Sequence, residues 1–499
     1  MSKREPGETN GVDAKLSRRT FAKTSVAAGT AAVALPKTLL GSTPAKSATT
    51  KTTYGRAARV EMPEESGGYV GGDATPLTTP VPQRASADVW EDGLTLPAEY
   101  YLDPKHFDAD EAFLAENIWQ YTDQASRIPN PGDFYVFEFG RSESILIVRG
   151  QDNEIRGFHN VCRHRGSRLC RHDADAKPGD PRLSVKQLGQ SGSSPVFRCP
   201  YHAWTYDTEG SLIYAYGMQD DFDPAENGLV PCHTRVAEGQ VLVNLSKSDT
   251  PPDFESAVSS VRAIGGKWSL ADLKVAAREY VPINANWKLF MENFKECYHC
   301  GPAHTNLVAT HNWDLEGTRE QKNERHAAVA AWVPEESRPG RQSESAGMGD
   351  TPTYASVGGL LNPGFVTGSV DGKPASILLP NITGWNHETK QASTGQLTGF
   401  WQAYDDHVVV ARFTPRTEKL VDCETVWLVH PDAVEGRDYD PDNVKALWYI
   451  TLLEDIWITD NNHVGVESGA YAASRYSTFE SGPNGFVNWY MKEIVKAGD

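Results

Sequence analysis

The chain has 499 residues and a formal net charge of −18. That length exceeds one small module and suits two or three domains, and that charge argues against a nucleic-acid partner. Seven cysteines spread over such a length do not read as a disulfide framework.

Taken in chain order, residues 1–48 read as a leader. Ser17-Arg18-Arg19-Thr20-Phe21-Ala22-Lys23 has the order of a twin-arginine export signal, followed by an Ala-rich stretch from Thr24 to Leu40 that Pro36 and Lys37 interrupt. The stretch is too short and too broken to span a bilayer. Export to the periplasm or cell envelope is the expectation, with a cytoplasmic protein carrying a basic tail as the alternative. Residues 49–95, rich in Pro, Thr and Gly, read as a linker. In the segment 96–133, a helical lead-in, Phe113, Ile118, Trp119 and Tyr121 predict a helix over Ala109–Gln124. Short β runs follow at Phe134–Phe139, Ser144–Arg149 and Ile155–Val161, and predict a small antiparallel domain over 134–246. The remainder, 247–499, mixes both element types. It has a predicted strand at Thr425–Val429, a buried helix at Trp448–Asp460 and a terminal helix at Asn488–Lys496. The polar segments Asp173–Ser194 and Arg319–Gly358 read as long loops.

Two motifs carry chemistry. Cys162-Arg163-His164 and Cys199-Pro200-Tyr201-His202 place two Cys and two His as C-x-H and C-x-x-H. A [2Fe–2S] centre held by two thiolates on one iron and two imidazoles on the other needs that set. Zinc sites favour Cys-Cys and His-His pairs instead. The second motif is Glu292-Asn293-Phe294-Lys295-Glu296-Cys297-Tyr298-His299-Cys300-Gly301-Pro302-Ala303-His304. Its two histidines are five apart, with Gly301-Pro302 expected to break the helix so that both imidazoles turn toward one metal. Two His and a carboxylate leave open positions for O2 on ferrous iron. The carboxylate is assigned to Asp455 in Glu454-Asp455-Ile456-Trp457-Ile458-Thr459-Asp460, with Glu454 and Asp460 as competitors. An acid in so apolar a window is better explained if a metal neutralises it.

These segments resemble the Rieske non-heme iron oxygenase large subunits of the ring-hydroxylating family. In the run Glu296–Cys300 they look most like choline monooxygenase and the betaine demethylases. Tyr201 stands where respiratory Rieske proteins carry a disulfide cysteine, as in the oxygenase-type centre. Thirty-four residues separate His164 from Cys199, about twice the family's usual spacing, and closure of so polar a loop costs little.

The resemblance implies an α+β architecture: an N-terminal all-β Rieske domain and a helix-grip, START-like catalytic domain with a large antiparallel sheet. It implies a cluster on Cys162, His164, Cys199 and His202, and ferrous iron on His299, His304 and Asp455. Glu296 would hydrogen-bond the ligand histidine and link the two centres between subunits, and Asn293 would approach the iron. The implied activity is a terminal oxygenase that hydroxylates or oxidatively demethylates a small organic substrate, with a quaternary amine indicated by Glu296. The alternatives are an aromatic-ring dioxygenase and a pure Rieske electron-transfer protein. The implied partners are O2, the substrate and an electron-donor reductase or redox carrier, in a homotrimer. Aromatic candidates for holding a cation are Trp313, Trp332, Trp385, Phe400, Trp401 and Tyr404. His159, His172, His233, His311, His326, His387, His407 and His430 read as surface or structural residues.

Overall fold

The computed structural model describes residues 92–171, 187–312, 354–357, 360–362, 364–385 and 392–495. The leader and nearly all of the linker therefore lie outside the described residues.

The lead-in is partly helical. Helix α1 spans Ala98–Leu102 and α2 spans Pro104–Asn117. Asp103 caps α2 by accepting from Lys105 N at 3.0 Å, with Pro104 at the first helical position. The helix expected through Gln124 stops at Asn117, and β1 follows at Gln120–Gln124. All five residues of β1 are buried because it pairs with β10 rather than continuing a helical face. The sheet, not the local spacing, decides this segment.

The strands that follow are β2 (Asp133–Phe139), β3 (Glu143–Arg149), β4 (Ile155–His159) and β5 (Ser191–Ser193), then β6 (Val196–Arg198), β7 (Thr205–Asp207) and β8 (Leu212–Tyr214), and finally β9 (Pro231–Ala237) and β10 (Gln240–Asn244). A seven-stranded sheet has the order β1-β10-β9-β4-β3-β2-β5, and β6-β7-β8 form a three-stranded sheet. The tail of the segment expected to be a loop is the edge strand β5, which pairs with Asp133–Tyr135. Alternation on β3 sorts two cores. Ile145 and Ile147 face the main core, while Leu146 and Val148 face a separate cluster containing Cys162, Cys199 and Trp204.

After α3 (Phe254–Gly265) comes β11 (Lys274–Ile283), then α4 (Trp287–Phe294), α5 (Cys300–Ala303), α6 (Thr305–Thr310) and the short β12 (His311–Asn312). Next are β13 (Tyr354–Val357), β14 (Leu360–Leu361), β15 (Ala392–Gln396), β16 (Gly399–Ala403), β17 (His407–Thr417) and β18 (Leu420–Val429). The end of the second expected loop is thus strand β13. Helix α7 covers Pro441–Glu467 and α8 covers Ser481–Tyr490, ending in a π turn over Met491–Val495. The six-stranded antiparallel sheet runs β11-β18-β17-β16-β15-β13. On its inner face Phe400, Val409, Ala411, Phe413 and Trp427 meet Trp448, Leu452 and Ile456 of α7. The outer face, with Trp401, Val408, Val410, Val426 and Leu428, packs on Trp268 and Leu270. This is the expected α+β pairing of a β domain with a helix-gripped sheet.

Buried charge joins the two sheets. Asp123 of β1 meets Arg127 at 2.5 Å and Arg278 of β11 at 2.8 Å, and Arg278 and Arg412 both bond Glu424.

Candidate metal centres

The first centre sits on two tight turns. Cys162 N donates to Ser167 O at 2.8 Å, and Gly166, with φ +75°, returns its N–H to Cys162 O. On the second turn Cys199 N donates to Trp204 O, Ala203 N donates to Cys199 O, and Ala203 takes φ +61°. A non-glycine residue in that region costs energy and is held there by its surroundings. Asn160 braces the first turn, accepting from the backbone N–H groups of Leu169 and Cys170 and donating to Cys170 O.

Cys162 and Cys199 are both buried, and burial pushes the Cys162 thiol up despite a hydrogen bond with Tyr206 Oη at 3.3 Å. The His164 and His202 rings lie 4.6 Å apart between centroids, and Trp204 stacks on His164 at 4.8 Å. His164 Nδ1 is buried without a partner. Two buried thiols, two neighbouring imidazoles and an orphaned ring nitrogen fit a [2Fe–2S] cluster. Tyr206 was not legible as a participant, because its approach to Cys162 depends on the β6–β7 pairing that sets its side of the strand.

The second centre lies where α4 ends against α7. Asn286 caps α4 by accepting from Lys288 N. The helix stops at Phe294, so Glu296 and His299 lie in a turn rather than on one helix face as expected. Glu296 still reaches His299. Its Oε1 is 2.5 Å from His299 Nδ1, and its Oε2 accepts from the backbone N–H groups of Tyr298 and His299. Gly301 and Pro302 fall inside the single turn α5, and the break comes at His304, with φ −115° and ψ 75°. The break does what the spacing predicted: His299 Nε2 and His304 Nε2 are 3.1 Å apart.

Asp455 Oδ1 completes the triangle, 3.1 Å from His299 Nε2 and 3.0 Å from His304 Nε2. Burial opposes its charge, but the two imidazoles hold Asp455 below the usual carboxylate range. Burial also opposes charge on His299, and the carboxylates of Asp455 and Glu296 outweigh it, raising His299 to about 9. Both competitors are engaged elsewhere. Asp460 accepts from Asn284 N and Nδ2, and Glu454 bonds His304 Nδ1 at 2.8 Å. Asn293 Nδ2 lies 3.4 Å from His299 Nε2, and its Oδ1 is buried without a partner. Three donor atoms within about 3 Å of one another, one of them a carboxylate oxygen, suit a single divalent cation on one face. Cys297 and Cys300 form a disulfide around His299, a pairing the composition did not suggest; Cys162, Cys170, Cys199, Cys232 and Cys423 are free.

Of the aromatic candidates, Trp313 and Trp332 lie outside the described residues. Trp401 faces the outer layer against Trp268, and Trp385 is half-buried. Phe400 packs on Phe294 and Trp448, on the side of the iron helices. Tyr404 accepts from Trp448 Nε1 at 2.7 Å and bonds His311 Nε2 at 2.9 Å, and burial drives His311 down to about 3. His407 pairs with Asp406 and His159 with Glu143, as structural residues do. His172, His326 and His387 lie outside the described residues.

Comparison with known proteins matches two family domains along the chain. The Rieske [2Fe-2S] domain model matches residues 118–223, and the catalytic domain of the ring hydroxylating alpha subunit matches residues 270–495. The glycine betaine monooxygenase oxygenase subunit of Pseudomonas aeruginosa is 30% identical over 433 residues, covering 83% of this chain and 92% of that protein. Its counterpart in Chromohalobacter salexigens is 32% identical, covering 81% and 87%. A quaternary ammonium Rieske monooxygenase of known structure superposes with a TM-score of 0.57 at 19% identity, over 80% of this chain and 94% of that one. Rhodococcus naphthalene 1,2-dioxygenase does so at 0.55 and 17%, over 81% and 95%.

The chain belongs to the Rieske oxygenases, as an alpha-type oxygenase subunit. It is an O2-dependent oxidoreductase whose cofactors are a [2Fe–2S] cluster and a mononuclear iron.

Proposed function

We propose that the chain oxidises a quaternary ammonium substrate at a carbon next to nitrogen, with His299, His304 and Asp455 as the iron ligands and Cys162, His164, Cys199 and His202 holding the cluster. The observation that carries the substrate class is the 30–32% identity, over most of both chains, to glycine betaine monooxygenase subunits. Cluster and iron supply electron transfer and O2 activation when bound.

The protein's own work is orientation. Glu296 holds the His299 ring by its Nδ1, leaving Nε2 to face Asp455. Phe294, Phe400, Phe413 and Trp448 form an aromatic group beside these helices. The electron donor is a reductase or another redox carrier.

The working unit proposed is a head-to-tail trimer. Tyr201 and Tyr216 are exposed in the β domain, and Tyr298 and Trp457 are exposed within two residues of His299 and Asp455, with Phe479 stacked on Tyr298. Exposed apolar side chains near both centres suit closed cyclic packing of one subunit's cluster on its neighbour's iron. Arg18 and Arg19 support export by the twin-arginine route. Cell fractionation of an Arg18→Lys, Arg19→Lys variant should find it retained in the cytoplasm, and an unchanged location would end that part of the reading.

Product analysis with glycine betaine, carnitine, choline and aromatic acids, under a surrogate reductant, tests the substrate. Demethylated or hydroxylated amine is expected. Product from aromatic acids alone would favour the ring-dioxygenase reading.

A further inference from the structure

Among the carboxylates around the two histidines, Glu454 stands apart from the donor triangle. Glu454 and Asp455 are neighbours on α7, and successive helical residues point about 100° apart. They cannot both face one metal, yet both reach His304. Asp455 Oδ1 lies 3.0 Å from Nε2, and Glu454 Oε2 lies 2.8 Å from Nδ1. One helix therefore grips both nitrogens of the same imidazole. Asp455 is almost fully buried, whereas the Glu454 side chain keeps 33% of its surface exposed. An exposed carboxylate is normally a solvated one, but here His304 itself is buried, so its Nδ1–H has no water to donate to. Glu454 makes no other side-chain hydrogen bond among the described residues, in contrast to Glu296, which also binds two backbone N–H groups.

We infer that Glu454 is a positioning residue for the iron: by accepting the Nδ1 proton of His304 it fixes the ring's tautomer and angle, so that Nε2 presents its lone pair to the metal. The two histidines then have separate carboxylate holders from different parts of the chain. Glu296 comes from the same turn as His299, and Glu454 comes from a helix 150 residues beyond His304. Both rings meet Asp455 of α7 through Nε2, but only His304 also depends on α7 through Nδ1, since the Nδ1 of His299 is held from its own turn. This inference rests on His304 being an iron ligand, but not on the substrate assignment.

The test uses the holoprotein and no substrate. Glu454→Gln keeps an acceptor oxygen, and Glu454→Met keeps the length without one. Iron loss to a ferrous chelator and the electron paramagnetic resonance spectrum of the ferrous nitric-oxide complex are recorded for each, with the cluster's visible spectrum as the control for folding. Glu454→Met is expected to lose iron about 10- to 100-fold faster, with an altered nitrosyl spectrum. Glu454→Gln should stay near the parent protein. If Glu454→Met keeps parental retention and spectrum, or if both variants are equally impaired, the inference fails. Asp455→Ala is run alongside: iron held normally in that variant would instead overturn the assignment of the site.

Discussion

His299 is pulled in two directions. The metal needs its Nε2 unprotonated, while Asp455 and Glu296 favour the imidazolium and raise it to about 9. Protons and iron therefore compete for one nitrogen. Iron uptake by the apoprotein should strengthen as pH rises toward 9, by up to about tenfold per unit. Ferrous titrations at three pH values check this, and a flat profile would exclude the competition. Asp455 is the anionic ligand of the proposed centre. Asp455→Ala should lose the mononuclear iron while the cluster spectrum persists, reducing iron from three to two atoms per chain. Glu296 illustrates how chemistry survives a wrong local picture. Its spacing to His299 suggested a helix face, whereas a turn closed by the Tyr298 and His299 N–H groups delivers the same contact.

Between elements, buried polar groups do the joining. Glu292 on α4 accepts from Tyr101 of α1 at 2.7 Å and from Tyr476, beyond α7, at 2.6 Å. Burial, outweighing these hydrogen bonds, raises its carboxyl to about 7. An acid with a raised folded-state pKa contributes stability that is fully present below about 4.5 and is lost as pH rises through 7. Glu292→Gln should remove that slope, so the variant gains on the parent by at most roughly 3 kcal/mol between pH 4.5 and 7. Denaturant melts at both ends of the window would measure it; equal slopes would show that Glu292 stays ionised. Asp123 makes the opposite case. It is buried between Arg127 and Arg278 at the junction of the sheets. Asp123→Ala leaves Arg127, Arg278 and Arg412 with Glu424 as their shared carboxylate and should cost about 3 kcal/mol. A midpoint unchanged in urea would mean that water solvates the junction.

For the whole molecule, the trimer reading has a sharp consequence. A variant without its cluster (Cys162→Ala) and a variant without its iron (Asp455→Ala) should each be inactive alone. Co-expressed, they should recover up to about a quarter of parental turnover per chain, because some interfaces then pair an intact cluster with an intact iron. Transfer within one chain predicts no recovery.

Both proposed ligand sets stand out as motifs in the sequence because metal chemistry constrains residue type and spacing locally: Cys162-x-His164, Cys199-x-x-His202 and His299-x4-His304 each lie on a short stretch of backbone. Strands β2, β3 and β18 were legible for a similar reason, since short runs of β-branched and aromatic residues are written into successive positions. The tertiary structure alone decided what depends on distant partners. It set Asp455 beside the two histidines and Asp460 against Asn284, and it turned Gln120–Gln124 from helix into strand by offering β10 as a neighbour. It also brought Tyr206 to Cys162, closed Cys297 onto Cys300 and placed Glu454 behind His304. A residue's type states which bonds it is able to make; only the packing of α7 against the turn after α4 determines which one it makes.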